Sequence, residues 1–293
     1  MDIRKVQKTG NMHYLYLPTS WCKEQKISSG ANVTLDQQAG GRLIVTPGMV
    51  QKKVRHIEIT SPVDDIDVIN KLIVSCFINP ADSFTIGLMK EMNYTELLNQ
   101  KRLVSVDMVE LEGKTIKCES PVSISSPDLL LKTMISKITN MLMVMTSGYN
   151  EELIRRYEEE IDKSRLLIDK ATIAALTYTG TSTVRTISMH YISIISKELE
   201  RVADHLIKLD KANKKFFEDM ISIMHDLKPL IENAIDERIF FDYLLAVKFA
   251  MKVRSLGKEE VNDVSSYSRS EIGNRFDNIS EVMLDWAITR KVT

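Results

Sequence analysis

Residues 189–209 read MHYISIISKELERVADHLIKL, and their spacing decides the fold of the back half of the chain. Ile192, Ile195, Leu199, Val202, Leu206 and Leu209 recur three and four apart, which lines one side of a helix with apolar side chains and leaves the rest polar. The same period continues in both directions. Upstream, Leu131, Ile135, Ile138, Leu142 and Met145 follow a Ser126-Pro127-Asp128 helix start and stop at Gly148. Ile154, Tyr157, Ile161, Ile168 and Ala175 mark the next helix. Downstream, segments 214–234, 236–256 and 258–290 read as helices, the last carrying Ile272, Phe276, Ile279, Met283 and Trp286. Six helices in two sets of three predict an internal repeat. Leu199–His205 aligns, 70 residues on, with Arg269–Arg275, so that Val202, Leu206 and Leu209 fall on Ile272, Phe276 and Ile279.

The front of the chain is punctuated differently. Six of its seven prolines precede residue 128, and five of eleven glycines lie in the first 48 residues. Residues 1–50 read as short strands and turns. Tyr14–Leu17 and Ala31–Leu35 are expected strands, Ser20–Gln25 a helical turn, and Gly30 a left-handed turn position. Ala39-Gly40-Gly41-Arg42 is the expected hairpin turn before Leu43–Val45. So small an apolar content makes a poor monomeric core, and dimerisation is the expected remedy. Residues 54–122 read as a small α/β unit. Its strands are His56–Thr60, Phe84–Leu88 and Val104–Glu110 paired with Thr115–Cys118; its helices are Val63–Cys76 and Tyr94–Lys101.

The 293 residues carry 39 basic and 40 acidic side chains, a formal net charge of −1, but the charge is unevenly placed. Residues 1–55 hold nine Lys/Arg against three acids, a net of +6, which leaves −7 on the remainder. A basic module on an acidic body is a pattern of partner binding. No uninterrupted apolar run reaches the roughly 18 residues of a membrane span. The opening Met-Asp-Ile-Arg-Lys predicts no secretory leader. Cys22, Cys76 and Cys118 have no zinc spacing and fit reduced thiols of a cytosolic chain.

Glu200 and Asp204 are one helical turn apart and, at roughly 100° per residue, point away from the apolar stripe toward solvent. Two such carboxylates suit a hard or borderline cation. The same spacing is also common on charged helices, where Lys197 and Lys208 would complete a solvated salt-bridge ladder. Glu158 and Asp162 repeat the spacing on the preceding helix, with Arg165 on their side. His205 adjoins Asp204, but its place beside the stripe favours packing or solvent exposure over ligation. Arg4, Lys5, Lys8 and Arg42 cluster on the N-terminal module, where a basic surface can track phosphates. No Gly-rich phosphate loop, nucleophile elbow or Ser-His-Asp set is present, so catalysis has no support and no enzyme is expected.

Two resemblances add to this reading. Ile3–Gly10, Tyr16-Leu17-Pro18-Thr19-Ser20-Trp21, Gly30 and Gly41–Pro47 resemble a SpoVT-AbrB domain. That resemblance implies an intertwined, swapped-hairpin β dimer that binds DNA through basic residues. Thr19 stands where the family usually has Lys, and Ser28-Ser29-Gly30-Ala31 replaces its usual Lys/Gly/Asp turn. Residues 126–291 resemble PhoU, with Glu200-Arg201-Val202-Ala203-Asp204 similar to that family's Glu-Arg-Ile-x-Asp motif. The resemblance implies tandem three-helix bundles over residues 126–212 and 213–291. It also implies a transition metal, iron or zinc, on the first bundle through Glu200 and Asp204, joined by Glu158 and Asp162. Ser270 and Asn274 replace the two carboxylates in the second copy, which implies that such a site is lost or weakened there.

The order of modules is similar to archaeal phosphate-uptake regulators. The resulting expectation is a cytoplasmic homodimer or higher oligomer, without membrane insertion. It would regulate transcription of phosphate uptake by binding DNA and receive its signal through the helical body, with a phosphate ABC transporter component as a candidate partner. The alternative is an adaptor whose N-terminal module only dimerises and which modulates the transporter, or another partner, by protein contact.

Overall fold

The computed structural model describes residues 3–37, 41, 43–48, 55–93, 109–119, 126–177, 184–236 and 238–292. The expected helix at Tyr94–Lys101, the first part of the strand at Val104–Glu110 and the turn around Arg42 lie outside them. The chain divides into two units, Met1–Lys53 and Val54–Thr293.

In the first unit, β1 (Gln7–Thr9) pairs antiparallel with β2 (Met12–Tyr14), and β3 (Val33–Gln37) with β4 (Leu43–Pro47). The first hairpin corrects the expected strand at Tyr14–Leu17: the turn at Gly10-Asn11 brings Gln7 opposite Tyr14, so pairing ends where the apolar run begins. Helix α1 (Thr19–Glu24) follows Pro18, whose fixed φ suits a helix start. No described residue of this unit is fully buried, and Ile3, Tyr16, Leu35 and Leu43 are more than half exposed.

The second unit begins with a four-stranded sheet in the order β5-β6-β8-β7, formed by β5 (His56–Thr60), β6 (Ser83–Gly87), β7 (Val109–Glu112) and β8 (Thr115–Glu119). Only β5 and β6 are parallel, because helix α2 (Ile66–Ile78) forms the crossover between them. The Asp65 carboxylate accepts from the backbone N–H groups of Asp67 and Val68 and starts that helix. Alternation in β6 turns Phe84 and Ile86 inward, where they meet Ile116 and Cys118 of β8 and Ile69, Ile73 and Phe77 of α2. Burial pushes the Cys118 thiol up to about 11 and raises that of Cys76, so both stay protonated core side chains.

Six more helices are described beyond the sheet: α3 (Pro127–Ser147), α4 (Glu151–Thr177), α5 (Thr186–Leu206), α6 (Lys214–Ile235), α7 (Tyr243–Val253) and α8 (Val264–Val292). Helices α3, α4 and α5 pack on one another, as do α6, α7 and α8; α3 against α6 and α5 against α8 join the two sets. One apolar core runs through all six, and every residue of the Leu131–Met145, Ile192–Leu209 and Ile272–Trp286 stripes named above is buried in it. Among the described residues α3 is the one helix long and apolar enough to cross a membrane by length and composition. Here its Leu131, Met134, Ile138 and Met141 are fully buried against neighbouring helices. Leu166 of α4 also belongs to the core beneath the β-sheet, and Lys170 lies 4.8 Å above the Phe77 ring with its ammonium donating to the Ala81 carbonyl at 3.4 Å.

Helix α7 is shorter than the 236–256 segment expected. The Asp242 side chain accepts from the Leu244 N–H and fixes its start. After Val253 the chain crosses α8 at a point where two glycines make close approach possible. Gly257 has φ +66°, and a β-carbon on Gly273 would overlap the Leu256 carbonyl oxygen. Buried Glu198 ties the sets together, accepting from Arg201 of α5 and from Arg275 and Asn278 of α8.

Candidate metal centre

Helices α4 and α5 run past each other in opposite directions, so residues far apart in sequence meet in pairs. Asp169 accepts from Ser193 Oγ at 3.1 Å, Arg165 faces Glu200, and Glu158 and Asp162 face Asp204. The helical period places Glu158 and Asp162 on one side of α4 and Glu200 and Asp204 on one side of α5. Packing then turns those two sides toward each other. One carboxylate oxygen each from Glu158, Asp162 and Asp204 lies within 4.8 Å of the other two.

The site is half-buried, which corrects the expectation that Glu200 and Asp204 point into solvent. Glu158 is 9% exposed and the Glu200 side chain 19%. The angular argument fails because each helix of a three-helix set is covered on two sides. A residue flanking the apolar stripe therefore faces a neighbouring helix. Lys197 pairs with Asp169 at 3.4 Å.

Asp162 Oδ1 is buried and has no hydrogen-bond partner. Burial, with the charges of Glu158, Glu200 and Asp204 added, pushes its carboxyl up to about 7, against the opposing pull of Arg165. An orphaned buried carboxylate oxygen aimed among like charges is the condition a bound cation relieves. The donor set is entirely oxygen, which suits hard cations and Mn²⁺ or iron better than the nitrogen and sulfur preferences of zinc. A spread of 4.8 Å also spans a cation with metal–oxygen bonds of roughly 2.3–2.6 Å, and closes by a few tenths of an ångström around a smaller ion. Glu158, Asp162 and Asp204 thus form a triad able to hold a metal ion.

His205 stays outside this triad. Its ring meets Tyr267 edge-on at 6.0 Å, its Nδ1 is buried without a partner, and burial followed by the nearby Lys208 charge holds its pKa below the ordinary value. The second set has a different surface at the repeat-related place. Ser270, Gly273, Asn274 and Asp277 of α8 form one wall of a cleft of about 420 Å³, and the crossing segment from Val253 to Glu260 forms the other. Its cations Arg254 and Lys258 are offset by Glu259, Glu260 and Asp277.

Of the basic candidates, Arg4 and Lys5 precede β1 and Lys8 lies in it, all three exposed; Arg42 lies outside the described residues. Sequence reading missed Asp169, although it sits four residues beyond Arg165, the spacing of a helical ion pair. No family model, curated protein or solved structure matches the chain.

Proposed function

We propose that the chain is a phosphate-responsive regulator, with a SpoVT-AbrB-like module that binds DNA as a dimer and a PhoU-like helical body that binds a metal ion. The observation that carries the reading is the meeting of the two Glu-x-x-x-Asp pairs across α4 and α5, with the Asp162 oxygen buried and unpartnered between them. The motif that carries the PhoU resemblance supplies Asp204 to that cluster. When bound, the ion would supply positive charge to a crowded carboxylate site. The chain's own part is to aim Glu158, Asp162 and Asp204 at one point from two packed helices. Ser270 and Asn274 supply no carboxylates on α8, so one site per chain is expected.

The first unit supports the DNA-binding half of the proposal. Two hairpins with no described residue buried make no stable core alone, and a second copy would cover Leu35, Leu43 and Tyr16. Arg4, Lys5 and Lys8 would then be doubled on one dimer, a basic surface for phosphates.

Two experiments test the proposal. Elemental analysis after loading and dialysis should find a transition metal in the wild type and none in Glu200→Ala/Asp204→Ala; equal metal in both refutes the site. A mobility-shift titration on the protein's own promoter should show binding that weakens steeply with salt. No complex at about 50 mM salt refutes the transcriptional reading. Thr19, Ser28 and Ser29, at positions that are basic in the resembled family, favour a second reading, the adaptor that contacts a transporter or other protein without touching DNA.

A further inference from the structure

Helix α7 buries one side of itself and leaves the opposite side apolar. Ala246, Phe249 and Val253 enter the core, as does Phe241 of the preceding turn. At roughly 100° per residue the far side carries Leu244, Lys248 and Met251. Leu244 is 48% exposed and Met251 72%. The turn before the helix extends the patch, because Phe240 stands 77% exposed beside exposed Ile239. That turn is pinned to the end of α8, where Arg290 donates to the carbonyl oxygens of Ala234 at 2.6 Å and Ile239 at 3.0 Å. The next residue of α8, Lys291, holds its ammonium 3.9 Å from the centroid of the Tyr243 ring.

The charge around this patch runs against that of the rest of the body. Between Arg238 and Lys258 the chain carries five cations and one acid, Asp242, within a remainder of net charge −7. Asp242 caps α7, Arg238 is paired with Asp236, and Lys252 is paired with Asp226. Arg254 and Lys258 line the cleft beyond the helix. Lys248 and Lys291 are then the cations that flank the exposed apolar side chains. We propose that Phe240, Leu244 and Met251 form a docking face for an anionic lipid surface, with Lys248 and Lys291 meeting its phosphates. Charge selects this occupant over a second copy, because two such faces would bring like charges together, whereas anionic headgroups attract them. Shape selects it over a protein. Side chains that protrude from a turn and a helix surface enter the headgroup and acyl boundary without a matching groove, which a protein partner would have to supply. The attachment is peripheral, since the 11 residues of α7 lie along a bilayer and are too few to cross it. It is independent of the metal site.

Vesicle co-sedimentation of the full chain tests the proposal. Wild type should pellet with phosphatidylcholine vesicles containing about 30% phosphatidylglycerol at about 50 mM salt, bind pure phosphatidylcholine at least tenfold more weakly, and lose most binding at about 500 mM salt. Phe240→Ser/Met251→Ser should weaken binding about tenfold, and Lys248→Glu several-fold. Leu129→Ser, which alters an equally exposed apolar side chain on α3, should stay at the wild-type level. All three variants change exposed side chains, and circular dichroism melting verifies that each is folded. No binding of wild type to the anionic vesicles overturns the proposal. So does binding that the α7 variants retain but neutralisation of Arg4, Lys5 and Lys8 abolishes, which would assign it to the first unit. A change in oligomeric state on Phe240→Ser/Met251→Ser, with vesicle binding intact, would give the face to a second copy and overturn it as well.

Discussion

Asp162 is where the cost of the acidic cluster concentrates, and Asp162→Asn should remove it. Burial and three neighbouring carboxylates push its carboxyl from 3.8 to about 7. An acid whose folded pKa is raised destabilises the native state as it ionises. The penalty begins above the unfolded value near 3.8, grows with pH, and is complete above about 7. Three pH units are worth about 4 kcal/mol at 1.36 kcal/mol each, and solvent screening of a half-open site leaves roughly half, ~2 kcal/mol. Asparagine copies the size and neutrality of the protonated side chain, so the variant should escape the penalty. In chelator at pH 8 its melting temperature should rise by about 4–8 °C, at 2–4 °C per kcal/mol for a unit of this size. At pH 5 the gain should be less than half as large, and near pH 4 it should almost vanish. Added Mn²⁺ should reverse the order, because the wild type gains a ligand and the variant has one donor fewer. A gain that is absent at pH 8, or as large at pH 4 as at pH 8, would refute the electrostatic account.

Other consequences can be measured directly. Gly273→Ala would place a β-carbon on the Leu256 carbonyl and force the crossing segment off α8, at a cost of about 3 kcal/mol; unchanged melting would contradict that close approach. Trp286, fully buried and stacked on Tyr191 with ring centroids 5.4 Å apart, should cost about 4 kcal/mol on replacement by alanine, and a destabilisation below ~1 kcal/mol would show that the core closes around the gap. Sedimentation of the full chain should give a dimer that Leu35→Glu shifts toward monomer, whereas a monomeric wild type would mean the first unit is covered some other way. Neutralising Arg4, Lys5 and Lys8 should make the slope of log affinity for DNA against log salt shallower by about 0.9 for each phosphate the protein no longer neutralises, and an unchanged slope would place the DNA-binding surface elsewhere.

The helical half was legible because burial follows the 3.6-residue period directly. Leu131 to Met145, Ile192 to Leu209 and Ile272 to Trp286 needed no knowledge of their neighbours to be assigned inward. Elements set by partners are harder to read. Tyr14-Leu15-Tyr16-Leu17 looks like a strand by composition, but strand extent depends on what lies opposite, and the turn at Gly10-Asn11 aligns only Gln7–Thr9 with Met12–Tyr14. Likewise Leu166 and Lys170 belong to the α/β layer as well as to α4, and nothing in the local pattern of α4 says that a second core lies on its other side.

The candidate site shows the same limit more sharply. A spacing of four puts Glu200 beside Asp204 and Glu158 beside Asp162, because that relation lies within one helix. It says nothing of which helix lies opposite, so it predicts the carboxylates in solvent and Lys197 beside Glu200. Packing adds what spacing cannot: Arg165 reaches both Asp169 and Glu200, Lys197 pairs with Asp169, and Asp162 Oδ1 is buried without a hydrogen-bond partner. In the second set the short α7 ends at Val253 and, among the described residues, it is the loop crossing α8 at Gly273 that lies along the Ser270–Asn274 face, where α4 runs along α5 in the first. Carboxylates at 270 and 274 would face Glu259 and Glu260 on that loop, set beside Arg254 and Lys258, rather than an acidic pair on a second helix. Spacing within one helix thus sets an acidic pair side by side, and only the packing of a second helix, as α4 packs on α5, brings another pair to meet it.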